Sequence, residues 1–216
     1  IFVGRNINSS FGAAYAPDVF VTDPATRTRV QVPPTVVVLG AMSLNDSVGA
    51  PFTAPAGPRR GLLTSVNELK TKLLRANLDT LYSSKINPIT ALDGSTGIQI
   101  YGQKTLLANQ SALDRINVRR LLISIRRDVR NIANRLLFEP NRESTLARFK
   151  AAVEPVLNRI QAREGLKNFR VDIDTSTTTQ ADVENNTIRG KIFVQPTRTV
   201  EFIALDFVVT NAGADL

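Results

Sequence analysis

The sequence predicts an α/β (α+β) chain, a mixed β-sheet flanked by helices with a smaller N-terminal segment that contains a hairpin. Three observations point there. Residues 116–138 (INVRRLLISIRRDVRNIANRLLF) set Val118, Leu121, Leu122, Ile125, Val129, Ile132 and Leu136 at three- and four-residue steps, which makes an amphipathic helix of about six turns. Residues 169–174 alternate apolar and polar side chains, as a half-buried strand does. Helical and strand patterns then take turns through the second half of the chain, the pattern of helices packed on a sheet.

Taken in order, residues 1–60 form a strand- and loop-rich segment expected to pack on a core domain of residues 61–216. Within it, residues 19–22 (VFVT) and 28–32 (TRVQV) flank an Asp23-Pro24 turn and read as a hairpin. Pro33-Pro34 ends the second strand, because proline donates nothing to a sheet ladder. Residues 35–43 (TVVVLGAMS) are apolar enough for a short buried helix opened by Pro34, though Gly40 and three valines suit a buried strand as well. Three prolines and Gly57 make residues 49–60 an irregular loop.

From 62 to 84 the leucines keep a broken helical spacing, which predicts two short helices. Strands follow at 85–89 and 97–101, joined by a turn holding Gly94 and Gly97. The arginine-rich helix comes next, with Pro140 beyond it to help stop it. A second long helix over 142–164 shows an apolar stripe of Leu146, Phe149, Val153, Val156, Leu157 and Ile160. Pro155 should kink it, and Gly165 stands where a capping glycine belongs. After the strand at 169–174, a polar loop over 175–186 leads to strands at 188–194 and 199–210. Both faces of that last segment are largely apolar, so it reads as a covered strand in which Phe207 is core.

Composition narrows the chemistry. The 216 residues hold no histidine and no cysteine. The commonest general base, the thiol nucleophile and the usual zinc ligands are therefore missing, and no enzyme activity, cofactor or metal is expected. No glycine-rich phosphate loop has the required spacing. Asp172 and Asp174 could hold a hard cation, but strict alternation explains them as the outer face of a strand. No apolar run approaches the roughly 20 residues that span a bilayer, and no membrane partner is expected. The chain opens on Ile1 rather than Met, which reads as a piece of something longer.

The net charge of +8 is uneven. Residues 103–170 carry 15 basic and 6 acidic side chains, so the excess belongs to the middle helices. On the helix of 116–138, Arg119, Arg126 and Arg130 share one face with Arg120 and Arg127 on its flank. That band is either a solvated face or a contact for an acidic partner. Its only aromatic is Phe138 at the end, which speaks against a basic nucleic-acid-binding module, the alternative reading; no direct nucleic-acid contact is expected.

A series of short motifs then runs the length of the chain: SSFGAAYAP (9–17), VPP (32–34), NDSVGAP (45–51) and APAG (54–57). It continues with KINPI (85–89), YGQKTL (101–106), RINVRRL (115–121), LFEPN (137–141), FRV (169–171) and EFI (201–203). In this order they resemble the core, C-terminal portion of contractile bacteriophage tail sheath proteins. The resemblance implies a structural subunit that polymerises as stacked six-membered rings around a tail tube and contracts to drive the tube through the host envelope. It implies neighbouring sheath subunits and the tail tube protein as partners, with baseplate and tail terminator beside them. It also implies arms that add strands to neighbours' sheets, and a place in the virion tail after assembly in the host cytoplasm. Under it, Arg119, Arg126, Arg127 and Arg130 are the expected tube or subunit contacts, and Arg115 and Arg120 are expected to be tied up inside the fold.

Overall fold

In the computed structural model the described residues are 7–92, 97–199 and 201. They form helices and mixed sheets, the α/β architecture read from the sequence, in three small sheets and two long helices.

The first sheet grows from the hairpin. Strands β2 (Val19–Thr22) and β3 (Arg29–Val32) pair antiparallel around the turn, where Asp23 Oδ1 accepts from the Ala25 backbone N–H at 2.9 Å. Helix α1 (Pro34–Val48) follows at once, with proline in its first turn, and buries Val37, Val38 and Ala41. The choice between helix and strand for this stretch is thus settled as helix, and it runs on to Val48. Residues 49–60 are irregular except for one helical turn, α2 (Gly57–Arg60).

The pair of short helices expected over 62–84 is half corrected. Only α3 (Arg75–Ser83) is a helix; residues 66–69 form strand β4 (Val66–Leu69). Tertiary pairing overrides local spacing there, because β4 completes the first sheet against β2, with Leu69 opposite Val19 and Val66 opposite Val21.

A second, mixed sheet is built across the chain. Strand β1 (Ala14–Ala16) runs parallel to β5 (Ile86–Thr90), and β6 (Gln99–Ile100) pairs antiparallel with β5. Val19, Val37, Val38, Leu63, Ile89 and Ile100 gather into one buried cluster beneath these two sheets.

The second cluster belongs to helices α4 (Ile116–Asn134) and α5 (Glu143–Ala162) and to strand β7 (Leu166–Asp172). Leu121, Ile125, Leu146, Val153, Leu157, Leu166 and Val171 are its buried members. Helix α5 continues through Pro155. It closes in a Schellman motif, in which the Gly165 N–H donates to the Ile160 carbonyl and the Glu164 N–H to the Gln161 carbonyl, both at 2.9 Å. The left-handed position is taken by Glu164 (φ 61), not by glycine. Gly165 is instead required by space: a Cβ there would stand 2.8 Å from Ile160 and from the Phe52 ring.

Strand β8 (Lys191–Pro196) pairs antiparallel with β7, and α6 (Gln180–Glu184) supplies the one helical turn in the polar loop between them. The expected strand over 199–210, with Phe207, lies outside the described residues apart from positions 199 and 201, as do the turn residues 93–96.

Candidate interaction site on the arginine helix

Helix α4 is fully buried only in its first half, while Val129 and Ile132 further along pack, half-buried, on the helical cluster. Ile116, Asn117, Val118, Leu121 and Ile125 are its buried residues, all in its first half. The Ile116 N–H donates to the Gln103 carbonyl at 2.8 Å and fixes the first turn. The helix stops at Asn134, six residues before Pro140. Three-residue turns, Arg135 to Ile132, Leu136 to Ala133 and Glu139 to Leu136, wind it down instead.

Immediately before α4, Arg115 is held from two sides. Its guanidinium lies 3.1 Å from Asp114 and its Nε donates to Glu201 at 2.6 Å. The Glu201 carboxylate also accepts from the Tyr82 hydroxyl and, at 3.0 Å, from Gln103 Nε2. Burial alone would raise the pKa of Glu201. The hydrogen bonds from Tyr82 and Arg115 and the guanidinium charge outweigh it and hold that pKa below the ordinary glutamate value. Burial, followed by the Glu201 carboxylate, pushes the Tyr82 phenol up. No sequence signal announced this cluster, since its members lie on separate elements with sequence separations as large as 119.

The arginine band divides along the helix. Arg120 forms an ion pair with Asp46 on α1. Arg119 is half-buried: its guanidinium donates to the Ser10 hydroxyl and lies 4.1 Å above the centroid of the Phe11 ring. Burial, and then the charge of Arg126, hold the Arg119 pKa below the ordinary arginine value. Arg126 and Arg130 are exposed and make neither ion pair nor hydrogen bond among the described residues. Arg127 is exposed and meets Asp128 at 3.5 Å, a surface pair of little weight. Of the four candidate residues, then, Arg126 and Arg130 present open guanidinium groups, Arg127 presents one loosely held, and Arg119 is tethered.

Asp172 and Asp174 serve local structure. Asp172 pairs with Arg170 at 3.1 Å, and Asp174 accepts from the backbone N–H groups of Ser176 (2.9 Å) and Thr177 (3.2 Å). Among the described residues no group of three or more metal-ligating side chains gathers, and no helix is long and apolar enough to cross a membrane.

Residues 108–210, which include α4, α5 and the β7–β8 sheet, match the family model of the phage tail sheath C-terminal domain. The tail sheath protein of Enterobacteria phage T4 is 31% identical over 97% of this chain, and that of Vibrio phage KVP40 is 37% identical over 82% of it.

The chain belongs to the phage tail sheath family.

It spans about a third of the T4 protein (32%) and about a quarter of the KVP40 protein (26%). The sheath fold recurs in the contracted-state sheath complex of the PVC extracellular contractile injection system, with a TM-score of 0.84 at 24% identity, over 95% of this chain and 58% of that one. It recurs again in the contracted helical sheath of the anti-feeding prophage, with a TM-score of 0.81 at 24% identity, over 93% and 56%. At those identities the likeness is one of fold.

Proposed function

We propose that this chain is the core portion of a contractile tail sheath subunit, a structural protein and not an enzyme. Copies would stack as six-membered rings around a tail tube and contract to drive the tube through the host envelope. The observation that carries this reading is its similarity to tail sheath proteins along nearly its whole length. In this reading residues 61–216 are the sheath core, on which the strand- and loop-rich residues 1–60 pack. The tail tube, the baseplate and the tail terminator are the partners beyond the subunit itself. The protein belongs to the virion tail and is assembled in the host cytoplasm.

Two features support the assembly role physically. Among the described residues the β7–β8 sheet has two strands, and none of those residues pairs with its outer edges. Such an edge offers a row of backbone donors and acceptors to a strand from a neighbour. The open guanidinium groups of Arg126 and Arg130 offer a second kind of contact, to an acidic tube surface. Many weak, screened charge pairs hold register yet release on contraction, where one large apolar patch would not.

The test is Arg126→Glu with Arg130→Glu in full-length protein co-expressed with its tube protein. The expected result is an unchanged thermal melt, with loss of extended sheath around tube. Normal extended assembly would move the tube contact off this face. Failure of the unmodified protein to form hollow, ring-stacked tubes in electron micrographs would overturn the sheath reading itself.

A further inference from the structure

We propose that the cavity between Lys85, Lys104 and Arg115 is a binding site for a phosphate group, carried as the free ion or as the end of a phosphate monoester. The proposal does not depend on the sheath reading.

Three separate segments make the cavity: Lys85 just before β5, residues 104–110 after β6, and Asp114 with Arg115 at the entry to α4. Its volume is about 210 Å³, below the roughly 300 Å³ at which drug-sized ligands begin to fit, so it takes a small group. Three cations and one carboxylate line it. Asn109 and Gln110 add side-chain amides that have no hydrogen-bond partner among the described residues.

These charges are unequally matched. Arg115 is answered on two sides, by Asp114 and by Glu201. Lys85 and Lys104 form no ion pair among the described residues, and their ammonium groups meet neutral acceptors. Lys85 Nζ donates to the Leu107 carbonyl at 2.6 Å and to the Ala108 carbonyl at 2.9 Å. Lys104 Nζ donates to the Tyr82 carbonyl at 2.9 Å and lies 3.7 Å above the centroid of the Tyr82 ring. Carbonyls orient an ammonium but leave its charge in place. Each ammonium has three N–H donors, so donors remain on both lysines.

The arrangement is costly without a ligand. Lys104 stands opposite Arg115 in an antiparallel bridge, and like charges in that position destabilise. Burial, and then the charge of Arg115, hold the Lys104 pKa below the ordinary lysine value, against the pull of Glu201 and Asp114. Lys85 adds a backbone cost, because its φ of 62 suits glycine. What lysine contributes at that position is its ammonium.

The leftover charge selects phosphate over carboxylate. The fork of Arg115, which would grip a carboxylate in two parallel bonds, is already engaged by Glu201 and Asp114. Two point charges with amides beside them remain, and lysine binds phosphate as a point charge. A phosphate monoester carries a charge of about −1.5 to −2 at pH 7, which offsets both lysines, whereas one carboxylate offsets one.

Inorganic phosphate and glycerol phosphate, titrated separately into the full-length protein and followed by calorimetry, test this. Saturable binding of at least one of them is expected, with acetate at least about tenfold weaker. Lys85→Gly and Lys104→Met should each weaken phosphate binding about tenfold or more, the scale of losing a hydrogen bond to a charged group. Glycine accepts φ 62 and methionine keeps an apolar stem over the Tyr82 ring, so both variants should still melt cooperatively. Lys191→Met, at an exposed position on β8, should bind as the unmodified protein does. Tighter binding of glycerol phosphate assigns the site to an ester terminus; equal or tighter binding of inorganic phosphate assigns it to the free ion. Absence of saturable binding by either overturns the proposal. So do unchanged binding in both folded variants, an equal loss in Lys191→Met, and acetate binding as tightly as phosphate. The acetate comparison uses the unmodified protein and stands whether or not a variant folds.

Discussion

Arg115 Nε lies 2.6 Å from a carboxylate oxygen of Glu201, joining residues 86 positions apart just where the arginine helix begins. The side chains are 27% and 16% exposed, so water screens the pair only partly. Tyr82 and Gln103 complete the carboxylate's hydrogen bonds. Glu201→Gln should therefore cost about 1.5–3 kcal/mol in urea melts, the range for hydrogen bonds to charged groups. A change below about 0.5 kcal/mol, the usual surface level, would show that the clasp adds nothing to stability.

A second clasp predicts acid sensitivity. Arg189 and Thr179 both donate to Asp182, and together with the Thr179 backbone N–H they lower its pKa from 3.8 to about 2. A carboxyl depressed in the folded state stabilises fully above its unfolded pKa, and that contribution is lost as pH falls through the folded one. Stability should thus decline between about pH 4 and pH 2, and Asp182→Asn should flatten that part of the profile. Parallel acid profiles for the two proteins would contradict this.

The end of α5 predicts opposite signs at adjacent residues. Glu164→Gly should stabilise by about 1 kcal/mol, because φ 61 costs glycine nothing. Gly165→Ala should destabilise by about 1–3 kcal/mol, because the new methyl meets Ile160 and Phe52. Thermal melts read both, and a stabilising Gly165→Ala would refute the packing account.

Leu157 is fully buried at the centre of the helical cluster. Leu157→Ala should cost about 2–5 kcal/mol, the transfer term plus the cavity left behind. A loss under 1 kcal/mol would mean that the cluster collapses around the gap.

Within the arginine band, stability should separate tethered from open groups. Arg119→Ala gives up Ser10 and the Phe11 ring and should lose about 1 kcal/mol. Arg126→Ala and Arg130→Ala should stay within about 0.5 kcal/mol of the unmodified protein. Equal losses at all three positions would deny the division.

Sequence alone determined what depends on neighbours a few residues away. The stripes of α4 and α5, the Asp23-Pro24 hairpin and the alternation of β7 are local periodicities, and each became an element of the predicted type, although α4 ends at Asn134 and β7 at Asp172, which leaves Asp174 beyond the strand. The spacing of Arg119, Arg120, Arg126, Arg127 and Arg130 likewise placed a basic band on α4. Tertiary structure decided whatever required a distant partner. Residues 66–69 became a strand because β2 offered an edge, and β1 found β5 across some seventy residues of chain. Glu164 took the left-handed cap because Phe52 and Ile160 left no room for a side chain at position 165. The arginine band was legible as a face, but Arg119 is tethered only because Ser10 and Phe11 arrive beside it, while Arg126 and Arg130 stay open. Periodicity records which way a side chain points on its own element; what it meets there depends on the packing of segments that share no sequence signal.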